Sequence, residues 1–307
     1  MDGGAPVTLF DGFEGAELDT PRGVVHAQVG GGGPPLLLLH GFPETHLMWH
    51  PVARRLAGSH TVVAADLPGY GASFRPEPSP DHAPHAKRAL AEDLVVAMAG
   101  LGHDTFAVAG HDRGGRVAYR MALDSPAAVT RLAVLDIVPT GEIWRRADDR
   151  FANGYWHWPF LAQPSPLPER MMLGDPGGFW LAIERMGIKP GDERYPDAVV
   201  EAYRAQLGDP ATVEAICEDY RAGATIDRAL DDADREAGRT IACPVRALWG
   251  AAGALPRFYD DPVELWRPYA PELSGRAVEG ASHFLVEDAP GEVADDLAGF
   301  FAPDSRH

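Results

Sequence analysis

The segment Val108-Ala109-Gly110-His111-Asp112-Arg113-Gly114-Gly115-Arg116 constrains this chain more than any other. An apolar run from Thr105 to Ala109 predicts a buried strand, and Val117 to Ala122 predicts the start of a helix. Between them lies G-x-D-x-G, a tight strand-to-helix elbow in which glycines allow a sharp turn and close packing. The central side chain, Asp112, then stands exposed above a sheet, where most such elbows carry serine. Read alone, an aspartate here also suits a cap of the following helix, so its neighbours have to decide.

Those neighbours describe an alternating chain. Val24–Val29, Leu36–Leu39, His60–Ala65, Arg131–Asp136, Val245–Trp249 and Arg276–Val278 predict strands. Met48–Leu56, Ala86–Leu101 and Pro290–Phe301 have helical spacing. Alternation of this kind predicts a mostly parallel central sheet with helices on both faces. After Pro139 the pattern changes: aromatics and prolines crowd Phe151–Pro168, and helical stretches follow at Ala198–Leu207 and Ala211–Tyr220. We therefore expect a core of residues 1–140 and 239–307 with an inserted helical cap, residues 141–238. A ligand would lie at the carboxyl ends of the strands, beneath the cap.

Composition narrows the partners. With 27 basic against 45 acidic residues the formal charge is −18, which argues against nucleic-acid or anionic-membrane binding. Two cysteines, Cys217 and Cys243, are too few for a disulfide framework or a cysteine metal site and read as free thiols. With no basic-then-apolar leader at Met1–Gly4 and no long apolar segment, a soluble cytoplasmic protein is expected.

An elbow carboxylate implies a particular chemistry. Attack by aspartate on a tetrahedral carbon gives an alkyl ester that water can cleave, whereas attack by serine would give an inert ether. Asp112 thus points to carbon–halogen cleavage or epoxide opening rather than acyl transfer. A second step needs a base, and His283 in Gly280-Ala281-Ser282-His283-Phe284 occupies the late position expected of one. Trp249-Gly250-Ala251-Ala252-Gly253 offers no acid, so Asp136, at the end of its predicted strand, is the orienting carboxylate. The backbone N–H groups of Phe42 and Arg113 are the expected oxyanion donors. Arg113 and Arg116 flank the nucleophile and suit a substrate carboxylate, pointing to a 2-halo acid. Tyr155-Trp156-His157-Trp158 and Tyr220 supply N–H and O–H donors for a departing halide.

Taken together, His40-Gly41-Phe42-Pro43-Glu44, the Asp112-Arg113-x-x-Arg116 set, Tyr155–Trp158, Tyr220 and Gly280–His283 resemble the fluoroacetate dehalogenases, a branch of the α/β-hydrolase superfamily. The resemblance runs over essentially the whole chain. It implies an α/β-hydrolase fold, Asp112 as nucleophile, His283 as base and Asp136 as acid. It further implies Arg113 and Arg116 on the substrate carboxylate, and His157, Trp158 and Tyr220 on the halide. Trp180 would line the small pocket, and the protein would be a cofactor-free homodimer. The main alternative is an epoxide hydrolase with the same Asp-His-Asp set, Tyr155 and Tyr220 serving as proton donors. A non-catalytic small-molecule binding module on the same fold is the alternative from another class.

Overall fold

Eight strands form one sheet in the computed structural model, which describes residues 9–302. They are β1 (Phe13–Thr20), β2 (Gly23–Gly31), β3 (Pro35–Leu39), β4 (Thr61–Ala65), β5 (Phe106–His111), β6 (Val129–Leu135), β7 (Val245–Gly250) and β8 (Ser274–Val278). The spatial order is β1-β2-β4-β3-β5-β6-β7-β8. Pairing is antiparallel at β1–β2 and β2–β4 and parallel from β4 through β8. The predicted mostly parallel sheet is therefore present.

Strands β3, β4 and β5 sit at the centre, and Leu36–Leu39, Val62–Ala65 and Phe106–His111 are buried. Continuous apolar runs of this kind mark strands covered on both faces. The first strand departs from expectation: Phe-Glu-Gly-Ala-Glu-Leu-Asp-Thr at β1 has no apolar run, because only one of its long edges is paired and most of its side chains face water.

Three helices precede the insertion, α1 (His50–Leu56), α2 (Lys87–Gly100) and α3 (Asp112–Asp124). Helix α3 begins at Asp112, five residues earlier than the apolar spacing alone suggests, and is buried from Asp112 to Leu123. Between β6 and β7 the chain is helical: α4 (Thr140–Arg145), α5 (Asp149–Gly154), α6 (His157–Leu161), α7 (Leu167–Gly174), α8 (Pro176–Glu184), α9 (Asp197–Gln206), α10 (Pro210–Ala224) and α11 (Ile226–Glu236). The core resumes with β7, α12 (Leu255–Phe258), α13 (Pro262–Trp266), β8, α14 (Leu285–Asp288) and α15 (Pro290–Phe301). Helix α1 packs on α15, and α2 packs on α3. Among the described residues no helix is long and apolar enough to cross a membrane.

The insertion is tied to the core through α3. Arg120 pairs with Asp231 at 2.9 Å and with Asp234 at 2.6 Å, and the Tyr119 hydroxyl donates to Asp231 at 2.7 Å. A buried aspartate partnered this fully holds α11 in one position against α3.

Candidate active site

The elbow sets the geometry of everything around it. Asp112 has φ of +41°, a left-handed conformation that costs a non-glycine residue about 1–3 kcal/mol. Gly114 makes that turn possible: a Cβ there would lie 2.5 Å from the Leu39 carbonyl oxygen, so only a glycine lets α3 approach β3. The Gly114 N–H donates to the His40 carbonyl at 2.9 Å, which fixes the turn against the loop after β3. That loop delivers the Phe42 N–H to Asp112 Oδ2 at 3.1 Å. The Arg113 N–H lies in the first turn of α3, where a helix leaves its amides without internal partners.

His283, in the loop between β8 and α14, places Nδ1 2.5 Å from Asp136 Oδ2. Asp136 follows directly on β6 with φ of +49°, and its Oδ1 accepts the Gly250 N–H at 2.9 Å. Both carboxylate oxygens are thereby held, so the ring of His283 has a fixed orientation. Burial pushes the Asp112 carboxyl upward, but the charges of His283, Arg113 and Arg116 more than reverse this and hold it well below the usual carboxylate range. It is an anion at any pH where the protein functions.

Neither arginine forms an ion pair with Asp112. Arg113 instead extends to α10, where Nε meets Asp219 Oδ2 at 2.5 Å and Nη2 donates to the Asp219 carbonyl at 2.8 Å. Asp219 also takes an ion pair from Lys87. Arg116 donates Nη1 to the Val138 carbonyl at 3.0 Å and to Thr140 Oγ1 at 3.1 Å, with no carboxylate partner. The sequence puts both arginines on the elbow, and nothing in it pairs Arg113 with Asp219. Asp219 occupies one edge of its guanidinium, so a ligand reaches Arg113 chiefly through Nη1.

Aromatic side chains close the space over these cations. The Arg113 guanidinium lies 4.1 Å from the Tyr220 ring centre, and Arg116 lies 4.6 Å from that of Trp158. His157 stacks on Phe42 at 6.2 Å and meets Tyr220 edge-on at 5.9 Å. Burial lowers the His157 imidazole to about 3, so it is neutral. Four polar atoms in this group are buried with no hydrogen-bond partner: Arg113 Nη1, Arg116 Nε, His157 Nδ1 and Tyr220 OH. Each such orphan costs about 1–3 kcal/mol. An anion bound among them would remove that cost.

A cavity of about 390 Å³ lies between the helices that follow β6 and the sheet domain, lined by Tyr155, Trp156, Arg185, Phe258 and His283. Trp180 is not part of it, contrary to the expectation from resemblance. Its indole N–H donates to Glu184 at 2.6 Å and its ring carries Arg204 at 5.0 Å, on a separate hollow of α8. Partners on its own side of the insertion hold it there.

With this geometry in view, the relatives become informative. The alpha/beta hydrolase fold profile matches residues 34–159. A fluoroacetate dehalogenase from Burkholderia sp is 42% identical over 96% of this chain and 95% of its own length. The chain belongs to the alpha/beta hydrolase fold family. A soluble epoxide hydrolase from Corynebacterium sp. shares 31% identity with this hydrolase over 91% of the chain and 94% of its own. Among solved structures, one from Nostoc sp PCC 7120, described as a candidate alpha/beta hydrolase, superposes with a TM-score of 0.91 at 42% identity, covering 95% of this chain and 99% of that one.

Several residues of the hydrolase site were not legible beforehand. Asp219 is adjacent to Tyr220, and only the helical offset reveals that one faces Arg113 by its carboxylate and the other by its ring. Glu44 and His111 stood inside the quoted motifs, yet nothing in the sequence paired them. The structure places His111 Nδ1 2.7 Å from Glu44 Oε2 and its Nε2 2.8 Å from the His283 carbonyl.

Proposed function

We propose that this hydrolase cleaves the carbon–halogen bond of short 2-haloacids, converting fluoroacetate and other haloacetates to glycolate and halide. The observation that carries the reading is the set of four unpartnered buried polar atoms beside an ionised elbow aspartate. Two belong to guanidinium groups and two to neutral rings, which matches a ligand with a carboxylate at one end and a departing halide at the other.

The order of events follows from the contacts. With Oδ2 held by the Phe42 N–H, Oδ1 is the free oxygen of Asp112 and attacks the carbon bearing the halogen. The C–O bond forms as the carbon–halogen bond breaks, and the halide leaves with the bonding pair toward His157, Trp158 and Tyr220. The arginines balance the repulsion between substrate carboxylate and Asp112, roughly 4 kcal/mol for unit charges about 4 Å apart at an effective dielectric near 20. His283 then takes a proton from water, which attacks the ester carbonyl, while Asp136 stabilises the imidazolium. The tetrahedral oxyanion on Oδ2 meets the N–H groups of Phe42 and Arg113. Collapse expels glycolate, which takes its proton from His283, and restores Asp112. Residues 141–238 act as the cap that keeps bulk water from the halide.

A halide-release panel tests this. Fluoroacetate, chloroacetate and bromoacetate should release halide, and styrene oxide should be left intact. Asp112→Asn should lose at least about 1000-fold in turnover, and His283→Asn should accumulate a covalent Asp112 ester visible by mass spectrometry. Hydrolysis of styrene oxide without halide release would favour epoxide chemistry. No adduct in His283→Asn would sink the two-step scheme.

A further inference from the structure

We propose that His111 is a positioning residue, protonated on both ring nitrogens, whose imidazolium ties the His283 loop to Glu44 and to the elbow. The argument begins with its two ring nitrogens. A neutral imidazole has one donor and one acceptor nitrogen. Nε2 of His111 faces the main-chain carbonyl of His283 at 2.8 Å, an atom that only accepts. Nδ1 faces Glu44 Oε2 at 2.7 Å, and that oxygen also accepts the Gly41 N–H at 2.9 Å. Nε2 is therefore a donor, and Nδ1 is a donor as well once Glu44 is ionised, which the Gly41 N–H on the same oxygen favours.

The surrounding charges agree. From the loop after β3 comes Glu44; from the elbow itself, Asp112; from the loop after β8, the ring of His283 at 4.6 Å; and from α14, Glu287. Burial would strip the proton from His111, but Glu44 and Asp112 reverse this and raise it to about 10. Glu287 adds no charge: burial and the proximity of Glu44 drive it well above the carboxylate range, and the Tyr203 hydroxyl donates to its Oε1 at 3.1 Å. The local set is therefore one anion, Glu44, one cation, His111, and the nucleophile.

One consequence follows for the reaction. The bond to the His283 carbonyl anchors the base to the residue preceding the nucleophile, fixing their separation.

The first test uses the wild-type protein and needs no substrate. In 15N-histidine NMR, both ring nitrogens of His111, assigned by their loss in His111→Gln, should carry protons from pH 5.5 to 9. One unprotonated His111 nitrogen within that range overturns the proposal. The second test rests on the dehalogenase reading and measures halide release from haloacetate. In folded His111→Gln kcat should fall about tenfold or more while KM changes less than kcat. An unchanged kcat in folded His111→Gln overturns the proposal. If no haloacid is turned over, the NMR arm still decides the charge of His111, so the two readings fail separately. If His111→Gln does not fold, the imidazole signals are assigned with Glu44→Gln, in which His111 should lose a proton near neutral pH, and continued double protonation of that variant would count against the charge pair.

Discussion

Arg113 and Arg116 share a helix turn and a hydrogen-bonding chemistry, yet their surroundings make them different residues. Arg113 is one member of a buried charge cluster with Asp219 and Lys87, while Arg116 is held only by a carbonyl and a hydroxyl. On the proposed dehalogenase reading, replacing either by leucine should lower kcat/KM for haloacetate about 100- to 1000-fold, a loss of about 3–4 kcal/mol. Stability separates them. Arg113→Leu leaves Asp219 buried with Lys87 alone and should cost about 3 kcal/mol in urea unfolding. Arg116→Leu strands no carboxylate and should cost clearly less. Arg116→Lys is not expected to restore turnover, because an ammonium lacks the planar fork that serves Val138, Thr140 and a ligand together. Equal stability in the two leucine variants would contradict the assigned partners.

At the scale of elements, the loops and short helices carry the titration behaviour. His157 on α6 and His85, in a short turn before α2, are lowered by burial to about 3 and about 4. Each binds a proton more readily in the unfolded chain, whose histidines titrate near 6.5. Stability is therefore whole above that pH and falls on acidification, by about 1.4 kcal/mol per pH unit for each group until its folded value is reached. Thermal unfolding from pH 7 to 4 should show the decline, and His157→Gln should flatten it. The same scale explains what the sequence revealed. Strands β3, β4 and β5 were legible because burial on both faces demands nearly unbroken apolar runs, and the elbow was legible because its close approach to β3 demands glycine at Gly114. Strand β1 was not, since an edge strand facing water needs no such run. Helices α5 to α8 were not foreseen for another reason: prolines crowd this stretch, yet Pro168 and Pro176 stand in the first turns of α7 and α8, where the missing N–H would be unbonded in any case. The triad and arginines emerged from local motifs. The Arg113–Asp219 and Glu44–His111 pairs span 106 and 67 residues, and no local pattern encodes such a meeting.

For the whole molecule, a formal charge of −18 opposes the approach of any anion. Most arginines are tied to a carboxylate, but Arg185 and Arg257, both exposed on the rim of the cavity that leads to His283, have none among the described residues. No acidic side chain lines that cavity. A positive mouth in a negative surface concentrates small anions at the entrance, and salt screens it. For Arg185→Gln/Arg257→Gln we expect kcat/KM for haloacetate to fall about three- to tenfold at low ionic strength, to converge with wild type at high salt, and kcat to hold steady. A salt-independent deficit would locate the effect elsewhere. Seen as a mechanical part, α3 has one more property. Its first two turns bear Asp112, Arg113 and Arg116 on a single buried rod anchored to the insertion by Tyr119 and Arg120. With a rise of about 1.5 Å per residue, that rod works as a gauge block: the Asp112 carboxylate and the two guanidinium groups keep one spacing whatever the surface loops do. On the proposed reading, acids whose reactive carbon lies one methylene farther from the carboxylate should fall outside the gauge.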